Sequence, residues 1–173
     1  MSPLRLSRPR LLALAVAVSV VVPAASAAAC TGADSQPAAG AQYSRAVRCL
    51  LNQQRAHAGL AQLAPDRRLA RAALGFSHAM VRQQFFDHVS PTGSTMDQRI
   101  RAAGYSGRRM GESIGWGAGA LAAPAAIVQA WMQSPPHRAI IMDRRFDGVG
   151  LGVAAGSPSG AGDAATVTAD FGG

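Results

Sequence analysis

The chain contains one glutamate and four histidines, so the side chains able to carry acid–base or metal chemistry are few. Glu112 lies in Met110-Gly111-Glu112-Ser113-Ile114, four residues before a glycine-flanked Trp116. A carboxylate in such company needs partners, because burying an unpaired charge is costly. His57 falls near Gly59 at the end of a helical pattern, where a cation suits the helix dipole. His78 falls opposite the stripe of Leu69 and Ala73, on the side of Arg67, Arg71 and Arg82, and reads as a solvated side chain. His88 and His137 differ from these. Each follows a helical pattern and reads as a loop residue with proline nearby, the kind of place where site residues collect. Two imidazoles and a carboxylate suit a divalent metal with an open position, or an acid–base set. No short motif fixes their spacing. Ser90, Ser94 and Ser134 lie near these histidines, yet none occupies a recognisable nucleophile turn.

The elements that must position these residues are legible from periodicity. From Ala41, the residues Val47, Leu50, Leu51 and Ala58 fall on one helical face, and Gly59 with Leu60 closes the helix. Pro65 is expected to open a second helix at its first turn, with Leu69, Ala73, Phe76 and Met80 as the apolar stripe. Thr95 and Gln98 form a capping box for a short third helix that stops at Gly104. Arg109 to Trp116 reads as a short extended segment carrying Glu112. Pro124 begins a fourth helix burying Ile127, Val128 and Trp131, and Ser134-Pro135-Pro136 is expected to end it. In the tail, Val149, Leu151 and Val153 alternate with glycines. Val167, Ala169 and Phe171 alternate with Thr166, Thr168 and Asp170. Both runs have period two, which predicts antiparallel strands joined by a loop over 156–163. Helices first and paired strands last make an α+β pattern, with no repeat and no second domain.

The first 29 residues read as a signal peptide. Arg5, Arg8 and Arg10 precede an apolar run from Leu11 to Val22, and Ala25-Ser26-Ala27 offers a cleavage site. The run is shorter than the ~20 residues a spanning helix needs, although a membrane anchor is the competing reading. No later segment is long and apolar enough to span. Cleavage removes three arginines and lowers the net charge from +8 to +5. All 17 basic residues are arginine, scattered without interleaved aromatics, which argues against nucleic-acid binding. Weak attraction to an acidic envelope fits the charge. Residues 30–40 read as an N-terminal arm. Export favours a Cys30–Cys49 disulfide; acylation of Cys30, which would leave Cys49 alone, is the alternative.

Four segments resemble the CAP (SCP/TAPS) superfamily in its short bacterial secreted form. Leu50-Leu51-Asn52-Gln53-Gln54-Arg55 with Gly59-Leu60 is similar to its first-helix signature. Phe85-Phe86-Asp87-His88-Val89-Ser90-Pro91 is similar to the aromatic-x-His-x-Ser-Pro segment, and Gly111-Glu112-Ser113 to a Gly-Glu-Asn turn. Trp131-Met132-Gln133-Ser134-Pro135-Pro136-His137-Arg138 is similar to the Trp-Met-x-Ser-Pro-Gly-His-Arg motif. Gly148 to Val153 stands where the family has a glycine-laced strand. The likeness runs from about Ala41 to the C-terminus.

The resemblance implies an α-β-α sandwich with a small antiparallel sheet between helices. It also implies a cavity lined by two His and two Glu, where several members bind zinc. His88 and His137 match the histidines and Glu112 the first Glu; Gln133 is the expected stand-in for the second. Ser113 replaces Asn, and Pro136 replaces Gly. Zinc at His88 and His137 is thus an implied ligand, not a required cofactor. Three functions are open. One is a non-enzymatic binder of a small apolar, envelope or partner ligand. Another is a metal-dependent hydrolase acting on envelope material, with Glu112 as base. The third is a structural domain braced by a His/Glu network.

Overall fold

The computed structural model describes residues 30–35 and 40–173. The expected signal peptide and part of the arm lie outside the described residues. Helices α1 (Ala41–His57), α2 (Arg67–Gln83) and α3 (Met96–Ala102) come first. Strand β1 (Ala64–Pro65) is a two-residue bridge between α1 and α2, and β2 (Met110–Ala118) follows α3. Helices α4 (Pro124–Gln133) and α5 (Pro135–Ile141) precede β3 (Gly148–Ala155) and β4 (Ala164–Gly172).

Most helix boundaries follow the sequence signals. Gly59 adopts a positive φ of 68°, and the Leu60 N–H donates to the Arg55 carbonyl at 2.9 Å, which closes α1. Thr95 and Gln98 form both halves of the capping box on α3. Two expectations change. Pro65 belongs to β1, and Asp66 caps α2 by accepting from the Arg68 and Leu69 N–H groups. The bridge tolerates proline because its donors are the neighbours: Ala64 N–H reaches Asp147 O and Asp66 N–H reaches Val149 O. Secondly, Ser134 ends α4 as expected, but the prolines that follow it do not lead into a loop. Pro135 and Pro136 start α5, where the missing N–H groups are orphans anyway, so His137 is helical and not in a loop.

The sheet has the order β1-β3-β4-β2. Its β3–β4 and β4–β2 pairs are antiparallel, as expected, while β1 adds a parallel pair. Every residue of β4 is buried, because helices cover both faces. The α2 backbone lies directly on Gly150 and Gly152, where any Cβ would meet Ala70 N or Leu74 N. On the opposite face, Gly115 lies under the Trp131 ring and Gly111 under Phe146. The main core fills that second layer with Tyr43, Leu51, Ile127, Trp131, Leu151 and Phe171 among others. This is an α+β, α-β-α sandwich.

Two polar residues of α1 hold loops to this core. Asn52 both donates to and accepts from the Leu63 backbone. Arg55 is fully buried and donates to the carbonyls of Ala61, Ile141, Asp143 and Phe146. A guanidinium has no acceptor capacity, so a cage of carbonyls is the arrangement that satisfies it without a counter-charge. Cys30 and Cys49 form a disulfide with a Cα–Cα distance of 5.7 Å, and no free cysteine remains among the described residues. The arm is also tied to α4 by the Ala125 N–H, which donates to Ala33 O at 2.9 Å.

Candidate functional site

Glu112 leaves β2 on the face covered by α2, and its side chain is 2% exposed. Both carboxylate oxygens are engaged. Oε1 accepts from His88 Nδ1 at 2.8 Å, and Oε2 accepts from Arg99 Nη2 at 2.7 Å. Arg99 projects from α3 and also donates through Nη1 to the carbonyls of Ser94 (2.8 Å) and His88 (3.1 Å). Its guanidinium lies 3.3 Å from the centroid of the Phe76 ring, a cation–π contact made on the α2 side. One arginine therefore fixes the loop that carries His88 and the carboxylate that orients it. Because Glu112 only accepts, His88 carries its proton on Nδ1 and leaves Nε2 unengaged.

The loop itself is locally determined. Gln84 ends α2 in the left-handed conformation (φ 51°), turning the chain toward Phe85. Asp87 Oδ1 accepts from the Val89 N–H, and Ser90 Oγ accepts from the Ser94 N–H, closing the Ser-Pro-Thr-Gly turn.

Asp170 is a site residue that sequence reading missed as such. It sits opposite Glu112 in the β4–β2 register, is 1% exposed, and neither of its oxygens has a geometric hydrogen-bond partner. Burial, then the neighbouring Glu112 charge, push its carboxyl well above the usual range. The alternation of Thr166, Thr168 and Asp170 was the available signal. It reads as a solvated face until α2 is known to cover it. Ser77 confirms that cover by donating to Gly152 O at 3.0 Å and Thr168 Oγ1 at 2.9 Å.

His88 is half exposed and its pKa is raised, chiefly by the hydrogen bond to Glu112 and against the opposing effect of burial. His137 is shifted the other way, first by burial and then by charge on His88. The structure brings His88 and Glu112 into contact, and no hydrogen bond joins His137 to either of them. Gln133 is different: it is exposed at the end of α4. Ser113, on the opposite strand face from Glu112, is buried with its hydroxyl unpartnered.

Among the described residues, no three His, Cys, Asp or Glu side chains converge as metal ligands. The three-donor set of two imidazoles and Glu112 does not form, because the carboxylate is taken up by His88 Nδ1 and Arg99. Even with both imidazoles counted, the protein donors number two, which is short of the three ligands a catalytic zinc centre uses.

His137 instead lines a groove of about 250 Å3 with Phe86, Ile114, Trp116, Ile127 and Trp131 among its walls. Phe86 and Trp116 are large aromatics left 46% and 40% exposed at this groove. His137 Nδ1 is buried and has no protein partner. The arrangement is a mostly apolar trough with two polar side chains, Ser134 and His137, a composition common in small-ligand sites.

Comparison with known proteins agrees with this architecture. YkwD of Bacillus subtilis (strain 168) is 33% identical over 118 residues, covering 68% of this chain and 45% of that protein. The membrane protein YlbC of the same organism is 31% identical over 104 residues, covering 60% of this chain and 29% of YlbC. The chain therefore spans less than half the length of either relative. Among solved structures, an extracellular protein containing an SCP domain from Bacillus anthracis str. Ames superposes with a TM-score of 0.63 at 28% identity. That match covers 73% of this chain and 38% of the other. An outer surface protein from Borrelia burgdorferi shares the fold at 20% identity and a TM-score of 0.63, over 73% of this chain and 88% of its own. Among the described residues no helix is long and apolar enough to cross a membrane. The family model of the cysteine-rich secretory proteins matches residues 50–171, and this chain belongs to that CAP family.

Proposed function

We propose that this chain is a secreted, non-enzymatic CAP-domain protein that binds a small apolar molecule, or an apolar group of an envelope partner, in the groove between Trp116 and His137. The observation that carries this reading is the pairing of two exposed aromatics with a buried, unpartnered His137 Nδ1. Phe86 and Trp116 are already more than half buried, so a ligand covering the rest would recover roughly 1 kcal/mol per side chain. His137, with its pKa lowered by burial, stays neutral near pH 7 and offers a hydrogen bond to an uncharged oxygen or amide. Secretion is supported by the basic, apolar and small-residue order of residues 1–29, by the disulfide, and by the likeness to an extracellular SCP-domain protein.

The hydrolase reading is weaker, because Glu112 has no free oxygen with which to act as a base. A zinc ion, if bound, would have His88 through Nε2 and His137 as its protein donors, with Glu112 orienting His88 from behind. Such an ion would supply Lewis-acid polarisation of a ligand oxygen. The hydrogen bonds of Arg99 to Glu112 and to the His88 carbonyl support a bracing role for this network in either case.

The test is titration with N-phenyl-1-naphthylamine, a neutral apolar probe, against wild type, Trp116→Ala and Phe86→Ala. Saturable fluorescence enhancement, weakened about fivefold or more by either substitution, is expected. Binding that is unchanged in both variants removes the groove from consideration. Zinc titration of wild type and His137→Ala, read by calorimetry, separately decides whether the imidazole pair takes a metal.

A further inference from the structure

We propose a second site, remote from His137, in which arginines of α1 and α2 grip the phosphate headgroups of an anionic lipid surface. A groove of about 360 Å3 runs between the two helices along the outer side of β3. Arg45 and Arg48 line it from α1, Arg67 lines it from α2, and Val149 and Leu151 lie at its floor. Arg45 and Arg67 are exposed, and none of the three has an ion-pair partner among the described residues. The one acid in the lining, Asp66, uses Oδ1 to cap α2 through the Arg68 and Leu69 N–H groups. Three guanidiniums face one carboxylate, so the groove carries uncompensated positive charge. What sets these three apart is that they line one groove with a single acid among them.

One feature favours a phosphate-headed lipid over a free anion. The groove is not purely polar, since Pro65, Ala70, Val149 and Leu151 offer apolar contact beneath the arginines, suited to the glycerol and first methylenes of a lipid. Guanidiniums bind phosphate oxygens through paired N–H donors, and each basic side chain near an anionic bilayer adds to the attraction.

The test uses the mature protein recovered from the expressing culture with its disulfide intact. It is co-sedimented with vesicles of phosphatidylglycerol and phosphatidylcholine in equal parts, and with phosphatidylcholine alone. Binding only to the anionic vesicles is expected, with a loss of roughly tenfold or more for Arg45→Gln/Arg48→Gln. The comparison is Arg82→Gln/Arg144→Gln, which removes the same charge from two positions outside the groove and should cost about twofold or less. All substitutions lie at the protein's outer face, and thermal unfolding checks that both double variants keep the wild-type melting temperature. Equal losses in the two double variants would overturn the proposal, since net charge alone would then explain binding. Displacement from the vesicles by millimolar glycerol 1-phosphate would also overturn it, by making the groove a site for free phosphoesters.

Discussion

Glu112 and Asp170 stand directly opposite each other on neighbouring strands, two carboxyl groups buried on the same face of the sheet under α2. Only one of them has a cation: Arg99 bonds Glu112. Two carboxylates at cross-strand distance do not both ionise readily, and Asp170, buried and without its own cation, is the one held neutral. Its raised pKa means that the folded state binds a proton the unfolded state releases. Stability from this group is fully present below the unfolded carboxylate value of about 4 and falls as pH rises through the folded pKa. Asp170→Asn keeps the shape and removes the titration. Its melting temperature should therefore fall less than wild type between about pH 5 and 8. Parallel curves for the two proteins would show that Asp170 is not held protonated.

Arg99 is expected to be the most sensitive polar residue of the site. It is 11% exposed and its partner 2%, so breaking the pair strands a buried carboxylate. Loss of one member of such a pair costs about 3–5 kcal/mol. Arg99→Met, which keeps the apolar stem over Phe76, should approach that range in urea unfolding. Arg99→Met combined with Glu112→Gln should be less destabilised than the sum of the single variants by about 1 kcal/mol or more, because the stranded charge is gone. Additive effects would mean that the ion pair has no energetic role.

The histidines should titrate apart. The Glu112 hydrogen bond raises the His88 pKa, while burial and charge on His88 lower that of His137. In proton NMR, His88 should titrate above the ordinary value of about 6.5 and His137 below it. Glu112→Gln should bring His88 down. The stability His88 contributes is present below its unfolded pKa and declines as pH rises through its folded one. Solvent screening keeps this contribution small, since half of the side chain is exposed. Coincident titration of the two rings would contradict the geometry.

Local signals made much of this fold readable, and long-range pairing explains what they missed. Gly59, the Thr95–Gln98 box and Pro124 act within one helical turn, so their effects appear in sequence order. The role of Arg99 depends on β2 arriving beside α3, and that of Asp170 on α2 closing over a strand face. Neither event leaves a trace in periodicity. Pro135 and Pro136 were misleading because the same residue type both stops a preceding helix and starts a following one. The His88–Glu112 contact follows from family motifs, as no spacing rule predicts it. Gln133 shows the limit of such transfer: a position on the right helix is exposed when it falls on the outer side.

The glycines of β3 supply the sharpest test of the layering. A Cβ at Gly150 would collide with Ala70 N and Leu69 C, and one at Gly152 with Leu74 N and Ala73 C, all backbone atoms of α2. Backbone cannot rotate aside as a long side chain can, so Gly150→Ala must push α2 off the sheet. That movement would loosen the Leu69 and Ala72 core cluster, and would draw Phe76 away from the Arg99 guanidinium. Overpacking of this kind costs about 1–3 kcal/mol and more where backbone is involved. Gly150→Ala is thus expected to lower stability by at least about 2 kcal/mol, and to broaden the His88 resonances as its loop loses support. Gly162→Ala, with open space around its Cβ and no positive φ, is the matched control and should be neutral or slightly stabilising. Should Gly150→Ala unfold like the control, α2 cannot lie where it does against β3, and the burial of Asp170 and Glu112 beneath it would fall with that contact.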